Sequence, residues 1–401
     1  MKIGVVTPFR PHDLADLLDV SSRERLRGLG GLSATPVAPL VREWHQLGHS
    51  MSVFCLDPFV SQTQVLQGDR LVIHVIPKRR ARHCFLDFYR TECRLIQAAV
   101  QREAPDVLSA QWSYDHAWAA LQCGLPTAVT CHDTPWRYAW IAKNWFTTYH
   151  IAVAWRVIRK ADRLVCVSPY TAQHIQKYFR PRGRVEVVSN GLRPEVFQRG
   201  ERRLRTARPE RPFTFCSVGG WGGLKNLATL LKAFGRVRAR QPEARLAVFG
   251  RELGPGQAAE QWARRRGLHH GVVFQGSTPH AQVLDFLEAE ADLMAHPSLI
   301  EANPMVLMEA MACAVPVIAG RASGGVAWTL DEGRCGFLCD IRDGRALAET
   351  MFEAMRQPDG NRALMERAWA SARQRFNLEQ TVAANEAILQ QLCAENRKPR
   401  A

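Results

Sequence analysis

Glu301 and Glu309 stand eight residues apart, on either side of an Asn303-Pro304 pair, in a stretch running from His296 to Gly320. Asn is a favourable N-cap, and Pro suits the first helical position, where its missing N–H has no partner to lose. The spacing predicts a helix that starts at Asn303-Pro304, runs over 305–312 and stops before Pro316. Glu301 then falls in the loop ahead of the helix, and Glu309 about two turns into it. A helix start offers unpaired N–H groups and partial positive charge, which suit a diphosphate. Ionised carboxylates accept strong hydrogen bonds, so two of them beside that anion suit a hydroxyl-rich ligand.

The segment Phe213–Phe234 offers a second anion-binding candidate. It reads as a strand, a loop Gly219-Gly220-Trp221-Gly222-Gly223, then a helix with Asn226 as its expected N-cap. Glycines let backbone approach a phosphate closely, and Lys225 supplies a compact positive charge. The loop is not a Walker A motif, because its spacing differs and no Ser or Thr follows the Lys. In the amino-terminal half, Val129–Asp133 sets His132 and Asp133 just past an expected strand, at the sheet edge that lines ligand crevices. Gly28-Leu29-Gly30-Gly31-Leu32 precedes a helix that closes on Leu47-Gly48-His49. These glycines lie far beyond the first strand and miss the G-x-G-x-x-G spacing, which weighs against a dinucleotide cofactor. The 11 cysteines are scattered, odd in number and without a C-x-x-C pair, so buried reduced thiols are expected and a zinc site is not. No D-x-D motif is present, which disfavours a metal-dependent reaction.

The elements that must hold these groups follow from hydropathy. Short apolar runs alternate with helical patterns from Ile3–Thr7 to Val185–Val188, and the alternation restarts at Phe213–Val218. This implies an α/β chain of two doubly wound, Rossmann-like domains with parallel sheets. The expected boundaries are 1–198 for the first domain and 213–377 for the second. Residues 199–212, charged and Pro-containing, are expected as a linker, and a tail helix over 378–396 as packing back on the first domain. The 401 residues carry 53 Lys plus Arg against 38 Asp plus Glu, a formal charge of +15 that favours anionic neighbours. Only 8 of the 53 are Lys. Trp136–Lys160 interleaves Trp136, Trp140, Trp145 and Trp155 with Arg137, Lys143, Arg156, Arg159 and Lys160, and Pro77–Arg94 mixes Phe85, Phe88 and Tyr89 with further cations. Such stretches suit an anionic membrane surface, or alternatively a buried aromatic helix with a solvated rim. No apolar run is long enough to span a bilayer.

The block Pro297, Ser298, Glu301, Glu309, Ala310, Met311, Ala312, Pro316 and Val317 resembles the E-x7-E signature of glycosyltransferase family 4, retaining enzymes of the GT-B fold. Ala314 stands where Gly is customary, Pro304 where Gly is frequent and Asn303 where an aromatic is common. The glycine-rich loop is similar to the family's diphosphate loop: Lys225 matches its Lys, whereas Gly220 falls where an Arg is usual. The resemblance implies an interdomain cleft, with the carboxyl-terminal domain binding a nucleotide-diphosphate sugar. It implies that Glu301 and His132 face the reacting sugar and Glu309 the ribose. Lys225, Gly220 and the helix start at Asn303 would serve the diphosphate, and Gly30-Gly31 a phosphate or acceptor loop. No cofactor is implied beyond this donor substrate. The implied reaction is metal-independent transfer of a hexosyl-type group, with retention, to a saccharide or lipid-linked acceptor. Bacterial envelope polysaccharide or lipopolysaccharide synthesis is the implied setting, with the protein cytoplasmic or peripheral at the inner face of the membrane. A GT-B epimerase or sugar phosphorylase remains the alternative. A nucleic-acid-binding protein comes last, since neither a basic recognition element nor an RNA-type aromatic motif is found.

Overall fold

The computed structural model describes residues 1–31, 35–206 and 210–397. They form two units: one comprises Met1–Gly191 with the tail from Leu378, the other Leu192–Asn377. In the amino-terminal unit the strands are β1 (Lys2–Val6), β2 (Ser50–Asp57), β3 (Gln64–Gly68), β4 (Leu71–Pro77), β5 (Val107–Gln111), β6 (Thr127–Cys131), β7 (Arg163–Cys166) and β8 (Arg184–Val187). Their order is β3-β4-β2-β1-β5-β6-β7-β8, parallel except for the edge strand β3. The carboxyl-terminal unit holds β9 (Thr214–Val218), β10 (Arg245–Phe249), β11 (Val272–Gly276), β12 (Leu293–His296), β13 (Val317–Gly320) and β14 (Phe337–Cys339), in the all-parallel order β11-β10-β9-β12-β13-β14.

The central strands of each sheet are buried on both faces, which explains their continuous apolar runs. Trp44 and Phe54 sit in the cores on opposite faces of the first sheet; Met308 and Phe234 do so for the second. In the carboxyl-terminal unit the strand order reverses between β9 and β12, and in open parallel sheets ligands bind beyond the strand ends at such a point.

Local features differ from the sequence reading in three places. The edge strand β3 has no counterpart there, being only five residues long and half polar. Hydropathy over Phe85–Gln101 reads as one continuous helix, whereas the structure has two, Ala81–Leu86 and Arg90–Glu103, because Phe88 and Tyr89 adopt left-handed backbone conformations. Lys143, also left-handed, ends helix Pro135–Ala142 ahead of helix Trp145–Lys160. The first half of the stretch 199–212 is helix: Pro194–Arg205 packs into the carboxyl-terminal unit, and 207–209 lie outside the described residues. Helix Leu378–Arg397 belongs to the amino-terminal unit, where Leu378, Val382, Ile388, Leu389 and Leu392 join the core around Trp44. All 11 cysteines are free thiols.

Buried Arg203 shows why 199–205 is ordered. Its Nε donates to the Ala314 carbonyl at 3.0 Å, Nη1 to Leu287 and Glu288 at 3.0 and 2.9 Å, and Nη2 to Ala291 at 2.6 Å. These carbonyls close the helices Met305–Ala312 and His280–Ala289, so one guanidinium ties together the carboxyl ends of two helices. Positive charge there also complements both helix dipoles. Ala314 itself has φ +53°, a conformation that favours glycine, and so carries strain that the customary Gly would not. Replacing Arg203 by Ala strands several buried acceptors at a cost of about 1–3 kcal/mol each. The Arg203→Ala variant should therefore unfold at a clearly lower urea concentration than the parent, and an unchanged midpoint would refute this reading.

Candidate functional site

Two loops meet at the reversal point of the second sheet. One leaves β9 as Gly219–Asn226; the other leaves β12 as Pro297–Pro304. They are stitched together by the Leu299 N–H donating to the Leu224 carbonyl at 2.8 Å. Loop 321–325 braces the second: the Glu301 N–H donates to Ser323, and the Gly325 N–H donates to Glu301. These constraints aim three side chains at one point. Lys225 Nζ donates to Glu301 Oε1 at 2.6 Å, and His296 Nε2 donates to the same oxygen at 3.1 Å. Burial alone would raise the Glu301 pKa. The His296 hydrogen bond and the Lys225 charge overcome that penalty and hold the carboxyl well below its ordinary range. The pair contributes stability at neutral pH that is lost as acid approaches the depressed value. Glu301 Oε2 takes no hydrogen bond from the described residues.

His296 is absent from the residues singled out by sequence. Its signal is present, since it ends an apolar strand at the ligand edge and precedes Glu301 by five residues, yet a His there reads equally well as core. The glycines have separate reasons. Gly250, at the end of β10, has φ +135°, and a Cβ there would stand 1.4 Å from the Gly219 carbonyl oxygen. The loops after β9 and β10 thus touch backbone to backbone, sealed by the Gly219 N–H to Phe249 and the Trp221 N–H to Arg251. Gly220 sits in this contact with room for a Cβ, its nearest neighbours being the Arg251 carbonyl and Cβ at 3.6 and 4.0 Å.

The helix after the second loop begins at Met305, with Pro304 rather than Asn303 at the N-cap position. Asn303 is buried, and its Nδ2 contacts Met308 Sδ at 3.4 Å. The expected cap is therefore corrected: extended backbone at Pro304 moves the helix start one residue on, and Asn303 turns inward. Asn226 also occupies an N-cap position without capping. Its side chain donates to the Ile341 carbonyl and accepts from Thr229 Oγ1, and its backbone is left-handed.

Glu309 is four residues into its helix, a little over one turn rather than about two. It is not hydrogen-bonded to the Lys225–Glu301–His296 group. Its Oε1 accepts from His280 Nε2 at 2.8 Å, on the helix His280–Ala289 that Arg203 also anchors. His280 likewise escapes the sequence reading, since a His opening a helix carries no local signature.

In the amino-terminal unit, His132 follows β6. Its Nε2 donates to Gln111 Oε1 at 2.8 Å, and its ring packs on Trp112 at 4.3 Å between centroids. Burial lowers its pKa to about 3, so it is neutral across the physiological range. Burial raises the adjacent Asp133 to about 6, partly offset by a hydrogen bond from Tyr114 Oη at 2.9 Å. Gly30 and Gly31 lie against the ends of β1 and β2. A Cβ on Gly31, whose φ is +108°, would meet the Phe9 carbonyl at 2.4 Å, and one on Gly30 would meet the Phe59 ring at 3.2 Å. Leu32, the last residue of that glycine segment, lies outside the described residues.

Two doubly wound parallel sheets, one with an anion-suited loop and a buried carboxylate at its reversal point, define a GT-B architecture. The chain aligns with sucrose-phosphate synthase from Thermosynechococcus elongatus at a TM-score of 0.79, 18% identity and coverage of 98% of this chain and 100% of the other. Anabaena HepE in complex with UDP-glucose aligns at 0.66, with 19% identity over 98% and 100% of the two chains. Residues 34–196 match the family described as Glycosyltransferase Family 4, and residues 198–373 that described as Glycosyl transferases group 1. The chain belongs to the family 4 glycosyltransferases. A sequence relative, D-inositol 3-phosphate glycosyltransferase 2 from Catenulispora acidiphila, is 32% identical over 195 residues, 46% of this chain and 45% of the relative. The chain spans about half the length of the curated relatives it matches.

The His280–Glu309 pair gives a direct test of the site's electrostatics. The Glu309 hydrogen bond raises the His280 pKa above 6.5 against the opposing effect of burial. The stabilisation is therefore present below the ordinary histidine value and fades as pH rises through the raised one. An imidazole titration by NMR should place His280 above an exposed histidine, and Glu309→Gln should return it towards the ordinary value. An unshifted His280 in the parent protein would contradict the pairing.

Proposed function

We propose that this chain transfers a hexosyl-type group from a nucleotide-diphosphate sugar to a hydroxyl acceptor, with retention at the anomeric carbon. The convergence of Lys225 and Glu301 at the reversal point of the second sheet carries this reading. The ammonium can face a diphosphate, while the carboxylate, held ionised, keeps one oxygen for sugar hydroxyls. In the reaction the bond from the anomeric carbon to the diphosphate oxygen breaks, and its electron pair leaves with the nucleoside diphosphate. The acceptor oxygen forms the new bond on the same face, and its proton passes to the departing phosphate oxygen. The protein's task is to stabilise the growing negative charge and an oxocarbenium-like carbon by fixed charges and positioning. Neutral His132 is suited to hydrogen bonding with the sugar rather than to carrying charge. Glu309, with its His280 partner, would take the ribose.

The structural likeness to HepE, solved as a complex with UDP-glucose, supports a donor of this class. The acceptor we propose is an anionic polyol, saccharide or lipid-linked glycan of envelope assembly; the relative named for an inositol phosphate belongs to that chemistry. Activity requires no metal in this scheme. The amino-terminal unit supplies a surface that fits an anionic acceptor or lipid. Between Asp133 and Asp162 there is no acidic residue, yet five Lys or Arg are present. Trp136, Trp140, Trp145, Phe146 and Trp155 are exposed on the same pair of helices. Pro77–Arg94 differs, for Phe85, Phe88 and Tyr89 pack inward with Tyr149. No helix among the described residues is long and apolar enough to cross a membrane, so attachment would be interfacial.

Two measurements test these statements. A thermal-shift screen of UDP-, GDP- and ADP-sugars should raise the melting temperature with at least one donor, because a ligand of the native state stabilises it. With that donor, Glu301→Ala and Lys225→Ala should each lower turnover by orders of magnitude, and near-normal turnover in either would remove these residues from the site. Separately, the protein should float with vesicles containing phosphatidylglycerol at low salt and less so at high salt. Trp140→Ala/Trp145→Ala should weaken flotation, whereas absence of flotation by the parent protein would exclude the lipid surface.

A further inference from the structure

The loop after β9 lies between two cations. The aliphatic stem of Lys225 comes within 3.7–3.9 Å of where a Cβ on Gly219 would stand, and the Cβ of Arg251 within 4.0 Å of where one on Gly220 would stand. Lys225 is already committed in part, since its ammonium is bonded to Glu301 and the two charges sum to zero. A diphosphate placed there would meet little net positive charge from this pair. Arg251, by contrast, is exposed, and its guanidinium makes no hydrogen bond or ion pair among the described residues. Its position is not accidental. Gly250 permits the backbone contact with Gly219, and the Trp221 N–H bond to the Arg251 carbonyl fixes the residue beside Gly220.

We propose that Arg251, from the neighbouring loop, is the second diphosphate-binding cation of the carboxyl-terminal unit, reaching over a Gly220 that presents no side chain of its own. The proposal rests on the nucleotide-diphosphate-sugar reading above. Arginine suits the task because its planar fork can hold two phosphate oxygens at once, while Lys225 acts as a point charge. The arrangement also gives Gly220 a role. Any long side chain at 220 would compete with Arg251 for the same space, so the cation can come from one loop or the other.

Calorimetric titration with UDP, GDP, ADP and the corresponding nucleosides tests this on the intact chain. The parent protein should bind at least one of the diphosphates. Arg251→Ala should weaken that diphosphate by about ten- to hundredfold while leaving the matching nucleoside unchanged, since only the charged contact is lost. Arg251→Lys should fall between. Adding Gly220→Arg to Arg251→Ala should recover much of the lost affinity, because a Cβ at 220 meets nothing closer than 3.6 Å. Equal diphosphate affinity in the parent and Arg251→Ala would overturn the proposal, as would a parallel loss of nucleoside binding, which would indicate general damage. If the parent binds none of the three diphosphates, the donor reading itself fails, and the assignment of Arg251 falls with it.

Discussion

One carboxylate oxygen, Glu301 Oε1, receives hydrogen bonds from the loop after β9 and from the end of β12 at the reversal of the second sheet, and the site is organised around it. A buried carboxylate is costly unless it is paired and hydrogen-bonded. Lys225 and His296 meet that requirement from β9 and β12, and each is in turn fixed by the carboxylate it serves. The other constraints act to deliver these partners. The Leu299-to-Leu224 backbone bond, the brace from loop 321–325 and the backbone contact at Gly250 all set loop positions before any ligand arrives. Such preorganisation suits a reaction whose main demand is electrostatic.

Much of this is legible in the residues. The alternation of apolar runs and helical patterns separates the two sheets and places β1, β8 and β9 to within a residue. What it misses follows from weak local signals. β3 is an edge strand with polar residues on the open side, and its pairing partner is a separate strand, not its own sequence. The turn at Phe88 and Tyr89 places bulky side chains in left-handed backbone, where propensity predicts continuing helix. In the site, Glu301, Glu309 and Lys225 can be found because their spacing is local. His280 and Arg251 cannot, since each acquires meaning only from contacts across strands or helices, while His296, though local to Glu301, reads equally well as a core residue. Asn303 departs for the opposite reason: the local rule for caps is strong, and burial beside Met308 overrides it.

The large arginine excess divides between internal and external uses. Arg203 satisfies four backbone carbonyls in the core. Arg79 makes a two-pronged contact with buried Glu92 and adds Asp87. Arg163, itself buried, joins Glu186 to Glu395 on the tail helix. Each of these needs a planar group with several fixed donors, and an ammonium could not replace it. The formal charge therefore overstates what faces a partner. The acid-free helices of the amino-terminal unit, and Arg251 beside the loop after β9, are places where unbalanced positive charge is left for one.

The tail helix has a consequence for how the protein is made. Residues 378–397 complete a core whose other buried members, Trp44 and Val41 among them, lie between Ile3 and Val165. His49 and Arg163 wait equally for Glu386 and Glu395. The amino-terminal unit thus cannot close that face until helix Leu378–Arg397 has been made, although the carboxyl-terminal unit already has all its strands by then. Synthesis order and completion order are reversed, and the nascent amino-terminal unit exposes an apolar face for most of its translation. A chaperone that shields this face during synthesis would act on the unit whose strands are made before those of the carboxyl-terminal unit and whose core is completed after them.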